Sequence, residues 1–98
     1  MSKIQKLDPE EVKKLISEKV KVCIHGTKNE DQAPWVDRRI HNVTNCPDNT
    51  HLRIYFDNYF FVAIPFASEV VKKKNEWIAY DEQSRLFYAI RSEVIRYD

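Results

Sequence analysis

The chain reads as an α+β protein: one N-terminal helix packed on a five- or six-stranded antiparallel sheet that can curl into a small, partly open barrel. Three observations lead there. Asp8-Pro9-Glu10-Glu11 is a helix start. From Val20 onward the apolar residues change from helical spacing to a period of two. Between Leu52 and Phe66, two β-rich apolar runs meet at Asp57-Asn58, a hairpin signal.

At the helix start, Asp8 can accept from the amides of the first turn, Pro9 suits the first helical position, and Glu11 can reach back to the cap. Leu7 and Val12 stand where a hydrophobic staple requires them. Val12, Leu15 and Ile16 form an apolar stripe opposite Lys13, Lys14, Glu18 and Lys19, which predicts a helix of about three turns docked on the sheet. Val20, Val22 and Ile24 then alternate with Lys21, Cys23 and His25 in a first strand that ends at Gly26. Residues 26–34 are polar and are expected to form a long loop, and residues 1–6 are expected to be flexible. A second strand should run from about Trp35 to Thr44, closed by the turn cluster Asn45-Cys46-Pro47-Asp48-Asn49.

Leu52, Ile54 and Phe56 alternate with Arg53 and Tyr55 in a third strand, and a fourth runs from about Phe60 to Pro65. Two registers compete at the intervening turn. A two-residue loop pairs Phe56 with Tyr59; a three-residue loop pairs Phe56 with Phe60, aligns Val62 and Ile64 inward and is favoured because it makes one coherent apolar face. Ala67 to Asn75, with Val70-Val71 and three lysines, reads as a helical turn or an irregular connection. Trp77 to Tyr80 and Arg85 to Ile90, on either side of Asp81-Glu82-Gln83-Ser84, form a second hairpin with aromatic residues on both arms. Ser92 to Asp98 extends that strand or forms a last turn. Gly26 is the only glycine, so any bending of the sheet falls to bulges.

Ninety-eight residues make a single domain, 1–98, with one core. A hydrophobic share of 43% with 32% charged residues argues against disorder for the body of the chain. Sixteen Lys and Arg against fifteen Asp and Glu leave a formal charge of +1, too balanced for a general attraction to nucleic acid or to an anionic membrane. Any charged patch must come from arrangement, and every Arg does lie at or after position 38. The N-terminus lacks the apolar core of a signal peptide, and no window approaches the roughly 18 apolar residues of a membrane span. The chain therefore reads as cytoplasmic, with Cys23 and Cys46 as free thiols.

Cys23, His25, His41, Cys46 and His51 are the residue types zinc prefers, but close Cys or His knuckles are absent and no metal is expected. His41 and His51, oriented by Asp37 or Asp48, would suit a small histidine-dependent nuclease. No nucleophile motif, Gly-rich phosphate loop or metal-binding carboxylate pattern accompanies them, so neither a catalytic residue nor a cofactor is assigned. Nucleic-acid binding is the main alternative: Trp35, Tyr55, Tyr59, Trp77, Tyr80 and Tyr88 sit among Arg38, Arg39, Arg53, Arg85 and Arg91, and small sheets bind single strands by stacking and phosphate contacts. Against it stand the balanced charge and the general preference of aromatic residues for strands.

Protein recognition is the function these residues support best. The candidate binding residues are Trp35, Asp37, Arg38, Arg39, Arg53, Tyr55 and Tyr59, types that favour interface centres. Glu30-Asp31 with Asp37 would suit a basic partner, with Arg38-Arg39 fixing its orientation. The expected protein is a small non-catalytic inhibitor, antitoxin-like partner, adaptor or accessory subunit, and an exposed edge strand leaves a homodimer open. The Trp35 strand followed by hairpins resembles, in pattern alone, small Tudor-like or SH3-like barrels; a likeness of fold carries no function.

Overall fold

A computed structural model describes residues 4–26 and 34–95. Most of the 26–34 loop expected from sequence, including Glu30 and Asp31, lies outside the described residues. The described chain is mostly β, with nine strands in two antiparallel sheets and one short helix. The strands are β1 (Ile4–Lys6), β2 (Lys19–Gly26), β3 (Val36–Arg39), β4 (Asn42–Asn45), β5 (His51–Tyr55), β6 (Phe61–Pro65), β7 (Glu69–Lys73), β8 (Glu76–Asp81) and β9 (Leu86–Arg91). The helix, α1, spans Pro9–Lys13. Sheet order is β1-β7-β8-β9-β2-β3 in the large sheet and β4-β5-β6 in the small one. Residues 4–6, within the stretch expected to be flexible, pair with β7.

The expected picture of one helix on one sheet is therefore corrected in two respects. The helix is five residues long, not three turns. Asp8 caps it through Oδ1, which accepts the Glu10 amide at 3.0 Å, with Pro9 in the first turn. Beyond Lys13 the backbone tightens: the amides of Leu15, Ile16 and Glu18 donate to the carbonyls three residues back, and Ser17 turns left-handed at φ 75°. Ser17 and Glu18 are already tied to the next element, because the Ser17 amide donates to the Ile40 carbonyl and the Ile40 amide to Glu18. The apolar stripe still serves its purpose, with Val12 and Leu15 in the core.

The second correction is that the strand expected from Trp35 to Thr44 is two strands in different sheets. Their apolar positions slip by one: Val36 and Ile40 are even, Val43 is odd, so a single extended strand cannot bury all three on one face. The chain resolves the slip at Ile40, which is fully buried, and His41, whose amide donates to the Tyr55 carbonyl, as it passes from the large sheet to the small one. The segment 67–75 is also a strand, β7, rather than a helical turn. Its partner arm β8 begins after a two-residue loop with Lys74 left-handed at φ 55°.

Both expected hairpins form. Tyr55 pairs with Phe61 and the Phe56 amide donates to the Phe60 carbonyl, the three-residue-loop register, with Ile64 buried and Val62 against the core. In the second, Asp81 pairs with Leu86, and Tyr80 and Phe87 lie with ring centroids 4.6 Å apart. The core joins Val20, Val22, Val70, Trp77, Ala79, Tyr88 and Ile90 of the large sheet to Val43, Leu52, Ile54 and Ile64 of the small one, with Leu7, Val12 and Leu15 from the helical corner. Each fully buried aliphatic side chain of this set contributes about 1.5 to 3 kcal/mol by leaving water.

Candidate functional site

Strand β3 ends the large sheet, and no described strand pairs with its outer edge. Because Val36 lies opposite Val22 and Arg38 opposite Val20, Val36 and Arg38 share the core-facing side of the sheet with those two valines, while Asp37 and Arg39 share the other side with Lys21 and Lys19. All four β3 residues are exposed. Facing the inner side of β3 across an open gap is the β5–β6 turn. Between them runs a cleft of about 750 Å³ lined by Val22, Ile24, Val36, Phe56, Phe60 and Val62. Arg38 and Asp57 are the charged groups of its lining.

The turn that forms one wall is held by its own carboxylate. Asp57 Oδ1 accepts the amides of Tyr59 and Phe60, each at 2.7 Å. Those two bonds, the Phe60 amide first, hold its carboxyl below the usual range. The result is a fixed loop that presents Tyr59 and Phe60 to solvent at 84% and 71% exposure. Both side chains thus add exposed apolar area beside the apolar cleft.

The seven residues singled out from sequence fall in different places around this cleft. Arg38 is at its mouth, with its Nη1 donating to the Asp37 carbonyl. Trp35 lies under Arg91, whose guanidinium carbon is 4.2 Å from the ring centroid. Asp37 pairs with Lys21 at 3.1 Å, and Arg39 donates to the Ser17 carbonyl. Arg53 and Tyr55 are on the outer side of the small sheet, where Arg53 lies 4.7 Å above the Phe61 ring and its Nη1 donates to Tyr55 Oη. Tyr59 is on the loop. Sequence reasoning missed Val22, Ile24, Val36 and Phe60 as site residues, although the exposed apolar pair Tyr59-Phe60 directly after a turn signal is a readable cue. Of the stacking aromatics weighed for nucleic acid, Trp77 and Tyr88 are buried in the core.

A second cluster gathers at the β4–β5 turn. Asp48 Oδ1 accepts from Cys46 Sγ at 2.8 Å, from Thr50 Oγ1 at 2.7 Å and from the Thr50 amide at 3.3 Å. Those bonds, the Cys46 thiol first, draw the Asp48 carboxyl down to about 2. Thr50 Oγ1 also lies 2.8 Å from His51 Nδ1. An ionised carboxylate cannot donate, so the single hydroxyl proton of Thr50 goes to Asp48, and the imidazole must donate to the hydroxyl. The order Asp-Thr-His thus leaves the imidazole without the role of base toward Thr50; the geometry is that of a locked turn. His41 and the pair Cys23 and His25 lie elsewhere, and no group of three or more His, Cys, Asp or Glu among the described residues is placed to hold a metal ion. No described helix is long and apolar enough to cross a membrane.

Fold and cleft together define a small two-sheet β protein in which a sheet edge that no described strand covers lies beside an apolar trough. No protein-family model matches the chain, and no curated protein or solved structure matches it significantly.

Proposed function

We propose that this chain is a non-catalytic protein-binding module, and that its binding surface is the cleft between β3 and the β5–β6 turn, occupied by an extended segment of a partner protein. The observation that carries the reading is the juxtaposition of a strand edge that no described strand pairs with and an apolar trough. An added strand gains main-chain hydrogen bonds from the edge, and its alternate side chains enter the trough. A pocket for a small molecule would be more enclosed and would not need Tyr59 and Phe60 projecting beyond it. The inhibitor, antitoxin-like, adaptor and accessory-subunit roles all use such a surface.

The test is capture from native lysate on the tagged chain, with and without nuclease, in parallel with Phe60→Ser. The expected result is a stoichiometric protein retained after nuclease by the wild type and lost from Phe60→Ser. Retention of the same protein by both would overturn the cleft, and dependence of recovery on nuclease would favour the nucleic-acid alternative.

A further inference from the structure

The charge around the cleft restricts what can lie in it. On β3, Asp37 is neutralised by Lys21, whereas Arg38 has no carboxylate within ion-pair distance among the described residues. Arg39 uses its guanidinium on a neutral carbonyl, and Lys19 is its cross-strand neighbour. The acid of the lining, Asp57, keeps its charge while accepting two amides, and Arg38 is among the groups that favour its ionised form. Among the described residues around this edge, Lys19, Lys21, Arg38 and Arg39 outnumber Asp37 and Asp57, so the edge carries a surplus of positive charge beside an apolar trough.

A second copy of the chain is a poor occupant. Two β3 strands related by a two-fold axis normal to the sheet must pair residues of the same face. Registers that pair three residues of β3 in this way place Asp37 opposite Asp37 or Arg38 opposite Arg38, and like charges directly opposed are destabilising. The edge is protected against itself in the manner of natural edge strands.

Resting on the reading of the cleft as a protein-binding surface, we propose that its partner is an acidic, extended segment that adds to β3 as a further antiparallel strand. It places a Glu or Asp opposite Arg38 and, two residues along on the same face, an aromatic or branched aliphatic side chain opposite Val36 and over Val22 and Ile24. The carboxylate and guanidinium form a paired contact at the rim, while the apolar side chain fills the trough between β3 and Phe60.

Selection of short random displayed peptides on the immobilised full chain tests this directly, with wild type, Arg38→Glu and Phe60→Ser in parallel. Arg38 and Phe60 are exposed, and unchanged circular dichroism checks that each variant is folded. The wild type is expected to enrich peptides with an acidic residue two positions from an apolar one. Arg38→Glu is expected to switch the acidic preference to Lys or Arg, and Phe60→Ser to weaken the wild-type peptides by about tenfold. Apolar peptides without an acidic bias that still depend on Phe60 would overturn the acidic partner and leave the cleft standing. Acidic peptides bound equally by Phe60→Ser would overturn the cleft itself, and no enrichment on the wild type would overturn both. A concentration-dependent dimer in sedimentation that Arg38→Glu abolishes would replace the acidic partner with a second copy.

Discussion

The space between the two sheets is closed on one side and open on the other, and both sides are built from the same kinds of residue. On the closed side the helical corner contributes Leu7, Val12 and Leu15 to the core, and Glu11 reaches across to Lys72 of β7 and to Gln5 of β1. On the open side Val22, Ile24, Val36 and Phe60 line a cleft that no described element fills. Buried apolar surface, on the closed side and at Val22, contributes stability; at Ile24, Val36 and Phe60, which remain exposed, it contributes little. The charged groups divide in the same way. Glu11 and Lys72 are about one-fifth exposed, while Lys21 and Asp37 are more than half exposed.

The largest test of that contrast compares an apolar truncation on each side. Leu15→Ala, on the closed side, is expected to lower the free energy of unfolding in urea by about 2 to 5 kcal/mol, from lost burial plus the cavity left behind. Phe60→Ser, on the open side, is expected to stay within about 0.5 kcal/mol, because the ring is mostly solvated. Equal losses would mean that the open side is part of the folding core, and the comparison would collapse.

How legible the two sides were follows from which local rules each obeys. The hairpin at Asp57-Asn58 and the Asp81–Ser84 hairpin were readable because their turns use the residues turns demand. In the second, Asp81 accepts from the Ser84 hydroxyl and from the Gln83 and Ser84 amides. The hairpin at Lys74 was not readable, because its left-handed position carries a lysine where a glycine or asparagine would announce it; the only glycine, Gly26, is not left-handed at all. β7 was further disguised by Lys72, a lysine sharing the inner face with Val70, which breaks the apolar alternation and pairs with Glu11, 61 residues away. The two-sheet arrangement was half visible, in the phase slip between Ile40 and Val43. Of the candidate site, the arginines and Tyr59 were legible as residue types. That Val22 and Ile24 pass from core to trough along one strand depends on where the small sheet stops, and no local pattern encodes that.

A smaller difference is expected between the two ion pairs. Glu11→Gln leaves the Lys72 ammonium half-buried without its carboxylate and should cost about 1 to 2 kcal/mol, after allowance for its remaining contact with water. Asp37→Asn removes an exposed pair and should change unfolding by no more than about 0.5 kcal/mol. Raising the salt concentration sharpens the contrast, because exposed pairs are screened first. If the two substitutions proved equivalent, Glu11 would have no part in closing its side.

The smallest effect concerns acid, and it belongs to the open side. The carboxyl of Asp57 is held below its usual range mainly by the Phe60 and Tyr59 amides, so the folded loop favours the ionised form more than the unfolded chain does. Its contribution is therefore fully present above the ordinary carboxylate range and is lost as the pH falls through the lowered folded value. Protonation weakens both amide bonds at once and frees the loop that carries Tyr59 and Phe60, while the helical corner keeps its apolar packing. In nuclear magnetic resonance, the Tyr59 and Phe60 amide shifts are expected to titrate together at a pH below that of an unperturbed carboxylate, and Asp57→Asn should abolish the titration. The global unfolding transition should barely respond to the substitution, because the carboxylate is exposed and each bond spans only a few residues. Separate midpoints for the two amides would show that Asp57 does not hold the wall of the cleft as one unit, and the fixed loop on which the open side depends would be lost.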